Sequence, residues 1–239
     1  MQNKKVAILQ SNYIPWKGYF DIIASVDEFI FYDEMQYTTR DWRNRNKIKT
    51  QQGLKWISIP VNAKGCQQSG LKISEAEITE NTWVKSHWDS IKFAYSKAPY
   101  FKEYENFFKD IYSECENEKY LCNINYKFVL AINELLGIKT KITYDKDYGI
   151  IDGKTERLVD LVKKAGGTEY LSGPAAKDYI DKTLFDDAGI KLSWMDYSGY
   201  PEYPQLFPPF EHGVTILDLI FNTGVNARKY MKGIISNEG

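Results

Sequence analysis

The 239 residues predict an α/β fold, a mainly parallel sheet flanked by helices in a Rossmann-like arrangement, with a helical insertion or lid. Three observations carry this expectation. Short apolar runs alternate with amphipathic stretches of helical spacing. The runs are apolar at nearly every position, as in strands covered on both faces. One long helical tract, residues 81–137, interrupts the alternation. The length suits a single α/β domain over residues 1–239, with 81–137 as a helical subdomain.

Residues 5–9 read as a buried strand, and 18–26 as a helix with Tyr19, Ile22, Ile23 and Val26 on one face. A second apolar strand spans 29–32. Residues 33–50 are polar and amide-rich, a long loop, before LKWISIPV (54–61) returns to strand character with Pro60 near its end. Residues 64–70 read as a turn or mobile loop. Helical spacing begins at Asn81, with Val84, Trp88, Ile91, Ala94 and Tyr95 as its apolar positions. Pro99 breaks this tract, and a further helix covers 122–136, with Gly137 as its C-cap.

KITYD (141–145) is a strand, and TERLVDLVKKAGG (155–167) an amphipathic helix with Thr155 as N-cap and Gly166 and Gly167 at its end. TEYLSG (168–173) is a short strand, and PAAKDYID opens another helix with Pro174 in its first turn. IKLSWMDY is a strand. SGYPEYPQLFPPFEHG is too rich in proline for regular structure, and VTILDLIFNTG is a helix ended by Gly224.

A formal net charge of -1 provides no global field for DNA or an anionic membrane, so any anion recognition must come from a local cluster. No apolar run approaches membrane-spanning length. The opening MQNKKVAILQSNY loses its apolar stretch after five residues, so no signal peptide is expected, and a cytoplasmic protein is. Cys66, Cys115 and Cys122 lack CxxC spacing and read as free thiols of a reducing compartment. With only His87 and His212, no histidine-rich metal site is expected. Aromatic residues make up 15% of the chain, a surplus that suits stacking surfaces or a partly exposed cleft.

Two stretches carry candidate chemistry. The first is the loop after the opening strand, which in a parallel sheet faces the ligand crevice. Gln10 and Asn12 can donate and accept hydrogen bonds, and Tyr13, Trp16 and Tyr19 can wall in a flat ring or a sugar. Pro15 and Gly18 set the chain's direction and closest approach. The competing reading is that the aromatics plug the end of the sheet. The second stretch, YDEMQYTTRDWRNRNKIKT, follows the second strand and includes Asp33, Gln36, Arg43, Asn44, Arg45, Asn46 and Lys47. Asp33 sits where a carboxylate meets a sugar hydroxyl or polarises a nucleophile. The alternating basic and amide side chains suit phosphate or carboxylate, unless they form a solvated strand face.

His87 lies in a helical segment and has the pKa range of a general base, or is a hydrogen-bonded core residue. His212, in PPFEHG, admits the same two readings. Ser172 precedes a helix start, with Lys177 one turn in, another candidate phosphate or carboxylate pocket. No P-loop, GxGxxG, GxSxG or zinc motif is present.

The block ILQSNYIPWKGYFDIIASVDEFIFYDEMQYTTRDWRNRNKIKTQQGLKWISIPV resembles the N-terminal signature of the WbqC-like family of bacteria. HWDSIKFAYSKAPYF, YLSGPAAKDYID and TILDLIFNTG resemble its later blocks, so the resemblance runs nearly end to end. One departure is Ser11, where the family commonly has proline after the loop glutamine. The resemblance implies association with bacterial surface-polysaccharide clusters, O-antigen loci among them. It further implies decoration of nucleotide-linked amino sugars by a glycyl or other acyl group.

The leading expectation is therefore an N-acyl or aminoacyl transferase acting on the amine of a nucleotide-linked amino sugar. The two stretches would hold the nucleotide diphosphate and base. Asp33 or His87 would take the amine's proton, and Asn44 or Gln10 would steady the oxyanion. Such transfer needs no metal and no tightly bound cofactor; the donor is an acyl-CoA, an activated amino acid or a charged tRNA. A nucleotidyltransferase or ATP-dependent ligase with Mg²⁺ on Asp33, and a non-catalytic nucleotide-sugar or glycan-binding protein, are the alternatives.

Overall fold

In a computed structural model, residues 3–64 and 66–233 are described. Residues 1–2 of the opening stretch and Gly65 of the 64–70 segment lie outside them. The chain forms β1 (Lys5–Leu9), α1 (Lys17–Ala24), β2 (Glu28–Phe31), β3 (Arg45–Thr50), β4 (Gly53–Ser58) and the single turn α2 (Cys66–Ser69). Three long helices follow, α3 (Thr82–Tyr95), α4 (Phe101–Glu114) and α5 (Leu121–Leu135). The chain then alternates through β5 (Lys141–Tyr144), α6 (Thr155–Lys164), β6 (Glu169–Ser172), α7 (Lys182–Asp187), β7 (Lys191–Trp194) and α8 (Ile216–Thr223).

The main sheet has five strands in the order β5-β2-β1-β6-β7, and every pairing is parallel. The apolar runs are explained by burial on both faces. Val6, Ile8, Ile30 and Tyr170 point to one side, against Leu158 and Val162 of α6 and Phe185 of α7. Ala7, Phe29, Phe31 and Leu171 point to the other, where α1, α8 and α3–α5 pack. The helical tract thus shares the core of the sheet: Val84, Trp88, Ile91 and Tyr95 join Phe20 and Phe221 in one apolar cluster. Among the described residues no helix is long and apolar enough to cross a membrane.

Several local expectations are corrected. Residues 33–50 are not all loop, because Arg45–Thr50 is a strand paired antiparallel with β4 in a separate hairpin, Lys47 opposite Trp56. Its alternation holds over the first four residues, with Asn46 and Ile48 buried between half-buried Arg45 and Lys47, and ends at Lys49, which is buried beside Thr50 with its Nζ on Gln205 and the Pro209 carbonyl. Within the expected turn or loop of 64–70, residues 66–69 form one helical turn. Thr155 is the first helical residue, not the N-cap, and its Oγ1 accepts the Asp181 N–H at 3.1 Å. Pro174–Asp178 is a 3-10 turn, separate from α7, which Asp181 caps by accepting the Thr183 N–H.

Gly137 and Gly166 end α5 and α6 as expected, both with positive φ. At Gly166 the next N–H, of Gly167, reaches back to the Val162 carbonyl at 2.8 Å, a doubly bonded helix end that only a left-handed residue permits.

Candidate functional site

In the main sheet the chain runs outward from β1 to β2 and β5, then returns to the other side of β1 for β6 and β7. Connections leaving the C-terminal ends of β1 and β6 therefore diverge, which is where open parallel sheets carry ligands. There the structure has a cleft of about 540 Å³, a volume suited to a small ligand of nucleotide size. Its wall combines Gln10 and Asn12 from the β1 loop, Arg43, Ser172 at the end of β6, Tyr32, and the start of α6, its N-cap Lys154 and first residue Thr155.

Arg43 is the residue that joins the two sequence stretches. Its Nη1 donates to Asn12 Oδ1 at 2.5 Å and its Nη2 to Gln10 Oε1. With both amide oxygens taken by the guanidinium, the amide NH₂ groups of Gln10 and Asn12 remain as donors. The lining includes no carboxylate or imidazole among the described residues. Two cations, two amides, several hydroxyls and a helix N-terminus converge on one space, and that donor-rich chemistry suits an anion.

The loop is held from beneath by bonds that explain most of its unusual residues. The Tyr13 N–H donates to the Trp42 carbonyl at 3.0 Å. The Asn46 side chain donates to the Tyr13 and Ile14 carbonyls at 3.1 and 2.7 Å. The Tyr19 hydroxyl donates to the Gln10 carbonyl at 2.9 Å. The Ser11 N–H, which a proline there would lack, donates to Asp33 Oδ1 at 2.8 Å. These bonds hold Ile14 at φ 39°, a left-handed conformation that is costly for a β-branched side chain.

Asn125 on α5 completes the frame and is the residue that sequence reasoning misses. It is fully buried, and its Nδ2 donates to Ser11 Oγ at 3.1 Å and to the Arg43 carbonyl at 2.9 Å. The only signal for it is an amide on the apolar face of LCNINYKFVL, between Leu121, Ile124 and Phe128.

The structure places the expected site residues in three groups. Gln10, Asn12 and Ser172 line the cleft. Tyr13, Tyr19, Asn46 and Asp33 lie buried below it, 0 to 3% exposed. Burial pushes the Asp33 carboxyl above its ordinary range, against the Ser11 bonds that favour the charged form. Asn44 also acts as a brace, its Nδ2 on the Ile59 carbonyl at 2.8 Å. His87 is in the core, 5% exposed, with Nδ1 at 2.9 Å from the Tyr13 hydroxyl and Nε2 at 3.2 Å from the Ser58 carbonyl. Burial holds it down at about 4, so it is neutral at pH 7, and it is not among the residues that line the cleft.

The third group faces other surfaces. Gln36 is exposed, its amide against the Cys66 carbonyl. Lys177 is exposed and lies over the Trp194 ring. Arg45 sits 4.3 Å above the Trp56 ring and Lys47 lies 5.1 Å from it and 5.8 Å from that of Trp42. Trp16 belongs to a second cavity of about 320 Å³, walled also by Asn12, Pro15, Trp42, Asn46 and His212. Asn12 is common to both cavities.

The model of the WbqC-like protein family matches residues 10–230, a span that includes the β1 loop, Arg43, Asn125 and Ser172. The chain is 51% identical over 229 residues to uncharacterized protein Rv1507c of Mycobacterium tuberculosis (strain ATCC 25618 / H37Rv), covering 96% of this chain and 98% of that one. No solved structure matches it. The family match and this relative both extend over nearly the whole chain, and the protein belongs to the WbqC-like protein family.

Proposed function

We propose that the cleft binds the diphosphate and base of a nucleotide-linked amino sugar, and that the protein transfers an acyl or aminoacyl group to the sugar's amine in surface-polysaccharide biosynthesis. The observation that carries this reading is the Arg43 fork fixed on Gln10 and Asn12 at the mouth of the β1–β6 crevice. A guanidinium pinned in this way meets phosphate with little further ordering. Tyr32 and Tyr179 stand on the cleft wall for a base or sugar ring.

In the transfer, the amine's lone pair forms the C–N bond to the donor carbonyl. The donor's C–O or C–S bond breaks with its electron pair leaving on oxygen or sulfur, and the proton lost by nitrogen balances the one the leaving group takes up. Among the described residues the lining offers amides, hydroxyls and cations, and on this reading orientation and amide donors at the developing oxyanion carry the reaction. Asp33 serves as a positioning residue, through Ser11 and the loop.

Thermal unfolding with UDP- and dTDP-sugars, without Mg²⁺, tests the binding half. The wild type is expected to be protected. Arg43→Ala should weaken binding by about 1.5–3 kcal/mol, the worth of charged hydrogen bonds to phosphate, and Arg43→Lys should recover only part of it. Equal protection of wild type and Arg43→Ala refutes the placement. Mass spectrometry of an amino-sugar nucleotide incubated with candidate donors tests the transfer: binding without any acylated product leaves a nucleotide-sugar-binding protein.

A further inference from the structure

The second cavity lies beside the first, with Asn12 in both walls, yet its chemistry differs. Trp16, Trp42 and Pro15 make it mostly apolar. His212 adds an imidazole that burial, and then the charge of Lys17, hold below its ordinary pKa. The ring's Nδ1 is closed off from solvent with no hydrogen-bond partner. Protonation would leave an unpartnered N–H on that buried atom, which disfavours the charged ring. The imidazole and two indoles suit an uncharged, apolar group.

Trp42 also reaches outward. Its ring lies 5.4 Å from that of Trp56, and both indoles remain more than two-fifths exposed on the β3–β4 hairpin. Arg45 and Lys47 lie against these rings. Exposed aromatic faces interleaved with cations are the arrangement that holds a base and its phosphates. The basic hairpin is thus separated from Arg43 in space, although only one residue lies between 43 and 45. Strand alternation does this: Asn46 turns inward to the loop, while Arg45 and Lys47 face out.

We infer that this hairpin and the Trp16/Trp42/His212 cavity form the site of the acyl donor, and that the donor is borne on a nucleotide. The base and phosphates lie along Trp56, Trp42, Arg45 and Lys47, and the acyl group enters the apolar cavity, its carbonyl directed to Asn12 and the cleft beyond. The inference rests on the transferase reading above and deepens it by naming the donor's class and its side of entry. Coenzyme A and the CCA end of a charged tRNA share this chemistry.

Calorimetry on the full chain, with coenzyme A and with an RNA minihelix ending in CCA as probes, tests it. One of the two is expected to bind, with a Kd that changes less than twofold when the cleft is saturated with UDP or dTDP. Trp42→Ala and Lys47→Ala should each weaken that probe at least tenfold and leave UDP or dTDP affinity unchanged, and Arg43→Ala should do the converse. Thermal unfolding of each variant separates lost binding from lost folding. Competition between probe and nucleotide, or no binding of either probe below 1 mM, overturns the donor site. If UDP and dTDP fail to bind while a probe binds in a Trp42-dependent manner, the cleft reading fails and the donor site stands.

Discussion

Asn125→Leu tests whether the cleft is assembled from outside itself. The wild-type amide lies wholly inside the protein and donates to Ser11 Oγ and to the Arg43 carbonyl. Its Oδ1 has no partner among the described residues, so the donor end is what the fold uses. Leucine has a similar shape and no donor, and leaves two polar atoms short of a partner. At about 1–3 kcal/mol for each unsatisfied group, less what the new apolar contacts return, the loss should be about 2–4 kcal/mol. For a chain of this size each kcal/mol moves Tm by about 2–4 °C, so a fall of roughly 4–16 °C is expected in calorimetric unfolding. The second readout is more discriminating. Released from α5, the Arg43 backbone no longer fixes its guanidinium, and affinity for a nucleotide-sugar should fall about tenfold, equal to roughly 1.4 kcal/mol. Asn125→Asp, which keeps the shape but replaces the donor by an acceptor, should do the same. A Tm within 1 °C of wild type, or normal nucleotide affinity in a destabilised variant, refutes the idea that α5 sets the position of Arg43.

Two further outcomes concern groups away from the cleft. His87 has a folded pKa of about 4 against an ordinary 6.5, chiefly from burial, so the unfolded chain binds the extra proton. Its contribution is complete above pH 6.5 and is lost as pH falls towards 4, at up to about 1.4 kcal/mol per pH unit. Asp145, raised to about 6 by burial, acts with the opposite sign over about pH 4 to 6. The diagnostic is therefore the difference between wild type and His87→Gln in urea unfolding at pH 8 and pH 5, and a pH-independent difference contradicts the assignment. Glu28, at the start of β2, has a fully buried side chain that accepts from Lys4, Lys141 and Thr143 at 2.7, 3.1 and 2.8 Å and also from Tyr148. Glu28→Ala should cost about 3–5 kcal/mol in denaturant unfolding at neutral pH, because it leaves these donors around an emptied site; a loss below 1 kcal/mol would show the cluster to be incidental.

The central strands of the main sheet were legible because burial on both faces leaves short apolar runs such as VAIL and FIF, while the edge strands KITY and KLSW, only partly buried, keep Thr143 and Ser193 among their apolar residues. The glycines after α5 and α6 were legible because the left-handed helix end is local chemistry. Of the hairpin, β4 was legible and β3 was only an alternative to a basic loop, since a strand rich in arginine and lysine looks like a polar loop until its partner strand is known. The same limit applied to the site. Sequence showed that the loop from Gln10 to Tyr19 was special, but which of its side chains face the cleft is decided by contacts with residues 42–46 and 125. Tyr13, Tyr19 and Asn46 could equally have lined a cleft; their hydrogen bonds to backbone and to the core put them under it. Arg43 and Arg45, alike in sequence, diverge because one precedes the strand and the other begins it.

This distribution of roles has an energetic rationale. On the proposed binding, a loop that presents Gln10, Asn12 and Arg43 already ordered avoids the cost of ordering each long side chain on binding, about 0.5–1.5 kcal/mol. Here the ordering is completed on folding. The strain at Ile14, of order 1–3 kcal/mol, is offset by the two Asn46 bonds and by the burial of Tyr13 among Trp83, His87, Tyr112 and Phe128. His87 and Asp33 both brace this loop from below: one hydrogen-bonds the Tyr13 hydroxyl, the other the Ser11 amide, and Gln10 and Asn12 lie on either side of Ser11. On this account, changes to either residue should alter nucleotide affinity and leave the pH dependence of turnover unmoved, whereas a base in direct contact with the amine would do the reverse.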